Sequence, residues 1–203
     1  MWVVKLGGSL QQTSSRLDEW LNILSDYGGG KVIIVPGGGR FAGQVRSMQS
    51  SWGFGDVTAH RMALLGMQQF AYMLLGLETR LHPAGSNDEI MYCLQHDKVP
   101  VWLPYEMIVN NEQIPASWEM SADSLALWLA GQLQAEHLVL IKSVKLPNSA
   151  FSIEQLSDSG LLDACFPGLL QDVNIPVTWL ARDEQAVMTA ALQQNRLPNH
   201  PFF

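Results

Sequence analysis

Short runs of consecutive apolar residues alternate along the chain with stretches in which apolar positions recur every three to four residues. Residues 2–6 are apolar except for Lys5 and predict a buried strand. Leu17, Trp20, Leu21 and Leu24 then repeat at i, i+3, i+4 and i+7. That period predicts a helix opened by Ser14 or Ser15 and stopped by Gly28, Gly29 and Gly30. Residues 31–35 predict a second strand, after which Gly37, Gly38 and Gly39 open another helix. Asp56 or Thr58 caps a long helix that runs to about Arg80. A helix over 87–95, a strand over 99–103 and an irregular stretch through Pro115 follow. Ser121 caps a helix carrying Leu125, Trp128, Leu129 and Leu133. Residues 137–141 and 177–180 predict further strands, and 183–194 a closing helix.

Strands alternating with helices imply parallel crossovers and a sheet covered on both faces. The expected architecture is α/β: a three-layer α/β/α sandwich with a mostly parallel central sheet, one domain over residues 1–203. No internal repeat, low-complexity tract or linker interrupts it. In such sheets ligands sit outside the carboxyl ends of the strands, so the turns that follow strands carry the candidate chemistry.

Composition narrows the function. With 203 residues and 47% hydrophobic positions the chain can bury a substantial core. Its formal charge of -7 is the opposite of the basic footprint that nucleic acid or a membrane surface requires, so neither is an expected partner. Any phosphate must be held locally, by backbone amides and a few placed cations. Cys93 and Cys165 have no metal-ligand spacing, and no protein metal site is expected. That cysteine usage suits a reducing cytoplasm, and no targeting segment is read at the N-terminus. The apolar-rich stretch 57–77 is broken by His60, Arg61, Gln68 and Gln69, which argues against a membrane span. Seven tryptophans together with that stretch suggest a subunit interface, hence a homo-oligomer.

Two glycine-rich turns fall at strand ends: Lys5-Leu6-Gly7-Gly8-Ser9 after the first strand, and Pro36-Gly37-Gly38-Gly39-Arg40 after the second. Glycines let backbone amides approach a phosphate closely, and a following helix N-terminus adds favourable partial charge. Taken singly, each turn also serves as an ordinary strand-to-helix connection. Neither is a G-x-x-x-x-G-K-[ST] loop or a G-x-G-x-x-G fingerprint. Lys5, inside an apolar strand, either places its ammonium at the strand end, where it can meet a transferring phosphoryl group, or snorkels from an edge. Lys142 repeats the pattern after 137–141, with an exposed strand terminus as its plain reading. Asp123, in the first turn after Ser121, either caps its helix or orients the two lysines.

With these residues in view, the chain resembles the amino acid kinase superfamily, which includes the acetylglutamate, aspartate, glutamate 5-, uridylate and isopentenyl phosphate kinases. Residues 2–10 resemble its first strand and K-[LIV]-G-G-S turn, and V-I-I-V-P-G-G-G-R over 32–40 its second glycine loop. S-A-D-S-L-A-L-W-L-A over 121–130 is similar to the [ST]-x-D-x-x-A segment, and L-V-L-I-K-S-V over 138–144 to the strand bearing the second lysine. Length, the segment 56–64 and the G-L-L-D…F-P-G-L-L run over 160–170 resemble the short aminomethylfuran-methyl phosphate kinase branch. Two departures stand out. V-K-L-P-N-S over 144–149 replaces V-D-G-[VI]-[YF], and the chain closes on L-P-N-H-P-F-F rather than G-T-x-[IVL], so the nucleotide pocket is where the pattern breaks.

The resemblance implies an ATP-dependent phosphotransferase, with magnesium arriving on the nucleotide. Lys5 and Lys142 would flank the transferring group and Asp123 would organise both. Gly7, Gly8, Ser9, Gly37, Gly38 and Gly39 would form the phosphate-binding loops. Arg40, Asp56, His60 and Ser121 would meet the acceptor. Viewed alone, Asp56 is read first as a helix cap, and His60 also as a core or interface histidine. The expected acceptor is a small phosphate monoester carrying an amine. The alternatives are a carboxylate acceptor of the glutamate or acetylglutamate type, or a non-catalytic relative that binds a small anion.

Overall fold

The computed structural model describes residues 1–146 and 151–197. Residues 147–149 of the first departure, and all but Leu197 of the closing segment, lie outside the described residues. A sheet of six parallel strands runs in the order β3-β4-β2-β1-β5-β6. The elements in chain order are β1 (Trp2–Leu6), a 3-10 turn over Gly8–Gln12, α1 (Ser14–Tyr27), β2 (Val32–Pro36), α2 (Gly39–Trp52), α3 (Asp56–Leu77), β3 (Leu81–Ala84), α4 (Asn87–Gln95), β4 (Val99–Trp102), α5 (Tyr105–Ile108), α6 (Ala122–Gln132), β5 (His137–Lys142), α7 (Ile153–Asp158), α8 (Phe166–Val173), β6 (Val177–Ala181) and α9 (Gln185–Gln194).

Side chains alternate across a strand, so β1 divides its residues between the two faces of the sheet. Val3 joins a core with Leu138 and Leu140 of β5, Leu125 and Leu129 of α6, and Phe166 of α8. Trp2, Val4 and Leu6 face the other way and pack with Leu17, Trp20 and Leu24 of α1 and Leu192 of α9. Both faces are therefore covered, and this is why β1 is buried at all five positions rather than at every second one. Helix α3 contributes Leu64 and Met67 to the first core and Phe70, Ala71 and Leu74 to the second.

Four local readings need correction. Thr13, not Ser14 or Ser15, is the N-cap position of α1. Gly55, not Asp56 or Thr58, is that of α3, which ends at Leu77 because Glu78 turns extended while Arg80 is drawn to Glu78 and Asp26. Residues 81–84 form a sixth strand that the alternation did not reveal. It is a sheet edge containing Pro83, whose missing amide is harmless there. The short helices α5, α7 and α8 occupy stretches with too few turns to show a period. Among the described residues no helix is long and apolar enough to cross a membrane.

Candidate active site

At the carboxyl ends of β1 and β5, the buried Lys5 and the partly buried Lys142 meet the buried Asp123. Lys5 shares the face of Val3, and it pairs in register with Leu140. Lys142 is the next position beyond Leu140 on the same face. Both ammonium groups thus point toward α6, whose first turn carries Asp123, only 4% exposed beside Lys5 at 5%. Lys5 Nζ lies 2.6 Å from Asp123 Oδ1, and Lys142 Nζ donates to Oδ2. Lys142 also donates to the Leu161 carbonyl at 2.7 Å and stands 5.3 Å from the Trp179 ring centroid. Burial by itself raises the Asp123 carboxyl, but the two lysines outweigh it and hold the group below the usual carboxylate range. Burial, then the charge of Lys5, pulls Lys142 below its ordinary value, against the support of Asp123.

The glycine turns have two jobs. The Gly7 amide donates to the Ile141 carbonyl at 2.8 Å and the Gly37 amide to the Leu6 carbonyl at 2.9 Å. Both continue the parallel ladder, so neither amide is free to hold phosphate as expected. The amides of Gly8, Gly38 and Gly39 have no hydrogen-bond partner among the described residues. The turns touch each other so closely that a β-carbon on Gly8 would lie 2.2 Å from the Gly39 nitrogen. Gly39 has a φ of +54°, and a β-carbon there would meet the Gln11 carboxamide at 2.3 Å. Gln11 Oε1 accepts the Arg40 amide at 2.8 Å, which fixes the carboxamide orientation and leaves Nε2 buried without a partner. Ser9 is partly buried in the 3-10 turn between these loops.

A cavity of about 280 Å³ opens beside the second turn, between α2, α3 and the residues leading into α6. Gly38, Gly39, Arg46, Asp56, His60, Trp118 and Ser121 line it. Arg40 is exposed and does not; Arg46 reaches it instead, on the same helical face as Gly39, Ala42 and Gly43. The Arg46 guanidinium lies 4.5 Å from the Trp118 ring centroid. Trp118 Nε1 donates to Gln49 Oε1 at 2.6 Å, and Gln49 Nε2 donates to Asp56 Oδ1 at 2.8 Å. Asp56 therefore serves as a hydrogen-bond acceptor on the wall rather than as the helix cap, which is Gly55. Burial pushes the His60 imidazole below its ordinary value. Ser121 does not cap α6 with its side chain: its hydroxyl donates to Asp163 Oδ1 at 2.6 Å and its amide to Oδ2 at 2.9 Å. Its polar groups are thus committed within the protein instead of being open to an acceptor.

The structure brings Lys5, Lys142 and Asp123 together, and sets Gly38, Gly39, Asp56, His60 and Ser121 around the neighbouring cavity. Gln11, Arg46, Gln49, Trp118 and Asp163 were not anticipated. Arg46 carried a signal in its helical spacing from Gly39, and Asp163 stood in the G-L-L-D run, though neither was read as a site residue.

Fold and site define a class: a parallel α/β protein with two lysines at adjacent strand ends held against one buried helix carboxylate, beside free amides of two glycine turns. The chain belongs to the amino acid kinase family, whose family model matches residues 1–145. It is 24% identical over 146 residues to [5-(aminomethyl)furan-3-yl]methyl phosphate kinase of Methanocaldococcus jannaschii, covering 71% of this chain and 66% of that protein. The chain thus spans just under two thirds of the length of that curated relative. Its fold is that of uridylate kinase from Archaeoglobus fulgidus, with a TM-score of 0.68 at 14% identity over 95% of each chain. UMP kinase from Bacillus anthracis superposes with a TM-score of 0.67 at 19% identity, covering 95% of this chain and 91% of that one. An isopentenyl phosphate kinase gives 0.64 at 13% over 96% of each chain.

Proposed function

We propose that the protein is an ATP-dependent kinase that phosphorylates the phosphate group of a small monoester bearing an amine, giving a diphosphate. The observation that carries the reading is the buried Lys5–Asp123–Lys142 set next to a cavity whose wall presents both signs of charge. Keeping two ammonium groups and a carboxylate out of water is costly for folding. Opposite a phosphoryl group passing through a charge-rich transition state, the same cations stabilise what develops.

In this reading an acceptor phosphate oxygen attacks the γ-phosphorus in line, the bond to the β–γ bridging oxygen breaks, and ADP leaves. Lys5 and Lys142 face the oxygens of the moving group, and Asp123 holds both ammonium groups in place. The free amides of Gly8, Gly38 and Gly39 suit anionic oxygens, not a bare cation. Magnesium would accordingly be carried by the nucleotide's phosphates and water, neutralising their charge. Arg46, a fork of donors, takes the acceptor phosphate, and Asp56 takes the amine. The name of the Methanocaldococcus jannaschii relative describes an aminomethyl compound bearing a phosphate, in keeping with that pairing. A single domain in the cytoplasm belongs to the same proposal, as does self-association through α3. Leu65 and Tyr72, two turns apart on that helix, are 45% and 56% exposed.

The test is ADP release with glutamate, acetylglutamate, uridine monophosphate, isopentenyl phosphate and aminomethylfuran-methyl phosphate. The last should show the highest kcat/KM. A preference for either carboxylate would overturn the acceptor, and no release with any phosphate acceptor would overturn the kinase.

A further inference from the structure

We propose that Asp163 is the positioning residue of this site: from the segment between α7 and α8 it caps α6 and anchors the stretch to which Lys142 is tied. Its catalytic part rests on the kinase reading above.

An α-helix begins with amides that have no partner within it, and a side chain at the N-cap ordinarily accepts one of them. At α6 that position is Ser121, whose side chain makes no such bond. Asp163 supplies the acceptors from outside. Its Oδ2 takes the amides of Ser121 and Ser124, each at 2.9 Å, and its Oδ1 takes the Ser121 hydroxyl at 2.6 Å. Asp123 lies between the two clamped residues, so its backbone is fixed on both sides by one carboxylate. A negative group at a helix N-terminus is also favoured by the helix dipole.

The segment carrying Asp163 is itself fastened. Ser157 Oγ donates to the Asp163 carbonyl at 3.2 Å, and the Cys165 amide donates to the Glu119 carbonyl at 3.0 Å. Lys142 Nζ donates to the Leu161 carbonyl at 2.7 Å, two residues before Asp163. One short stretch therefore grips the helix that carries Asp123 and the ammonium of Lys142 together. Charge follows the same geometry. Lys142 faces Asp123 on α6, Lys5 on β1 and Asp163 on this stretch, and Asp163 favours its charged form against burial. A second consequence is that the α6 N-terminus is already occupied by a carboxylate. The acceptor phosphate is left to the glycine-turn amides and Arg46.

Asp163→Ala and Asp163→Asn, made in the full chain, separate clamp from charge. Asparagine can keep the shape, its carbonyl facing the two amides while the Ser121 hydroxyl turns to accept. Amide hydrogen exchange over 121–125 should speed up about tenfold in Asp163→Ala and much less in Asp163→Asn. The Lys142 Cε resonance should titrate at lower pH in both. kcat for ADP release should fall about 10- to 100-fold in Asp163→Ala with both KM values within about threefold of wild type, the signature of misplaced groups rather than lost binding. In Asp163→Asn the alkaline limb of kcat should move to lower pH. Unchanged exchange and an unchanged Lys142 titration in Asp163→Ala would overturn the clamp. Their movement with wild-type kcat would overturn its part in catalysis. If Asp163→Ala does not fold, Asp163→Asn decides through the Lys142 titration and the pH limb. A wild-type protein inert toward every acceptor would instead sink the kinase reading, with the exchange and titration arms still deciding whether Asp163 holds the site.

Discussion

Strand β5 carries a partly buried titratable side chain at each end, and the two ends treat charge in opposite ways. At the amino end, His137 is partly buried, its Nε2 2.8 Å from Thr178 Oγ1, and burial pushes its pKa down to about 4. It stays neutral because no charged group among the described residues pairs with it there. At the carboxyl end, Lys142 is also opposed by burial, and by Lys5 besides, yet it donates to Asp123, whose charge supports the ammonium. One strand thus shows what a buried group does when left to itself, and what must be built around it to keep a charge. The second arrangement is expensive, and it stands where β1, β5 and the glycine turns converge.

The largest effect should come from breaking the charged end at its centre. Asp123 is not a surface cap that asparagine can replace; it is buried between two ammonium groups. Asp123→Asn leaves Lys5 and Lys142 facing each other without the carboxylate between them, and only Asp163 still supports the charge of Lys142. It should destabilise the fold by about 3–5 kcal/mol, the scale for removing one partner of a buried ion pair, and abolish turnover. Chemical denaturation beside an ADP-release assay checks both. A melt within about 1 kcal/mol of wild type would mean the lysines escape to solvent and the set is not closed.

Lys5→Ala and Lys142→Ala come next. Each should raise the barrier by about 2.7–4 kcal/mol, or roughly 10²–10³ in kcat, by analogy with loss of one donor to a developing oxyanion. The remaining lysine still compensates Asp123, so both variants should fold. Near wild-type turnover in either would reduce that lysine to a structural counter-ion.

How much of this could be read from the sequence depends on whether a residue betrays itself by its neighbours in the chain. Lys5 did, because a lysine in a buried apolar run is anomalous; Lys142, at the end of its run, was as readily an exposed strand terminus. Asp123 was only half legible, since an acid in a first helical turn is also what capping chemistry would place there. The two glycine turns were visible, but not their division of labour. Which amides extend the ladder and which stay free depends on the register of β1 with β2 and β5, and the close approach of Gly8 to Gly39 depends on how the turns pack. The cavity was least legible. Arg40 adjoins the glycines in sequence, yet the helix turns Arg46 inward, and Trp118 and Gln49 meet only through tertiary contact. The true cap of α6 comes from Asp163, far along the chain, so no local pattern at Ser121 could reveal it. The same holds for β3, whose edge position is visible only once the sheet is assembled.

A smaller effect, on acceptor recognition, should follow from changes in the cavity, where charges are exposed enough to be cheap. Arg46→Ala should raise KM for the phosphate acceptor about 10- to 100-fold, the worth of a hydrogen bond to a charged group, with KM for ATP nearly unchanged. Asp56→Asn should raise KM about tenfold for an amine-bearing acceptor and scarcely at all for isopentenyl phosphate. Equal losses for both acceptors would remove Asp56 from amine recognition and leave it as the anchor of Gln49.

The smallest effect tests the quiet end of β5. With a folded pKa of about 4 against an ordinary 6.5, His137 binds fewer protons folded than unfolded between those values. Stability therefore rises with pH across that window. The contribution is fully present above about pH 6.5, is lost progressively as pH falls toward 4, and changes no further below that. Water reaches part of the ring, so screening brings the loss to about 1–2 kcal/mol. His137→Gln keeps a partner for Thr178 and cannot titrate. The difference in unfolding free energy between wild type and this variant should be nearly constant above pH 7 and should shift by that amount, in the variant's favour, by pH 4.5. kcat at pH 7 should be unaffected, since the residue sits at the opposite end of the strand from Lys142. A pH-independent difference would mean that His137 finds a charged partner on protonation, and the contrast between the two ends of β5 would fail.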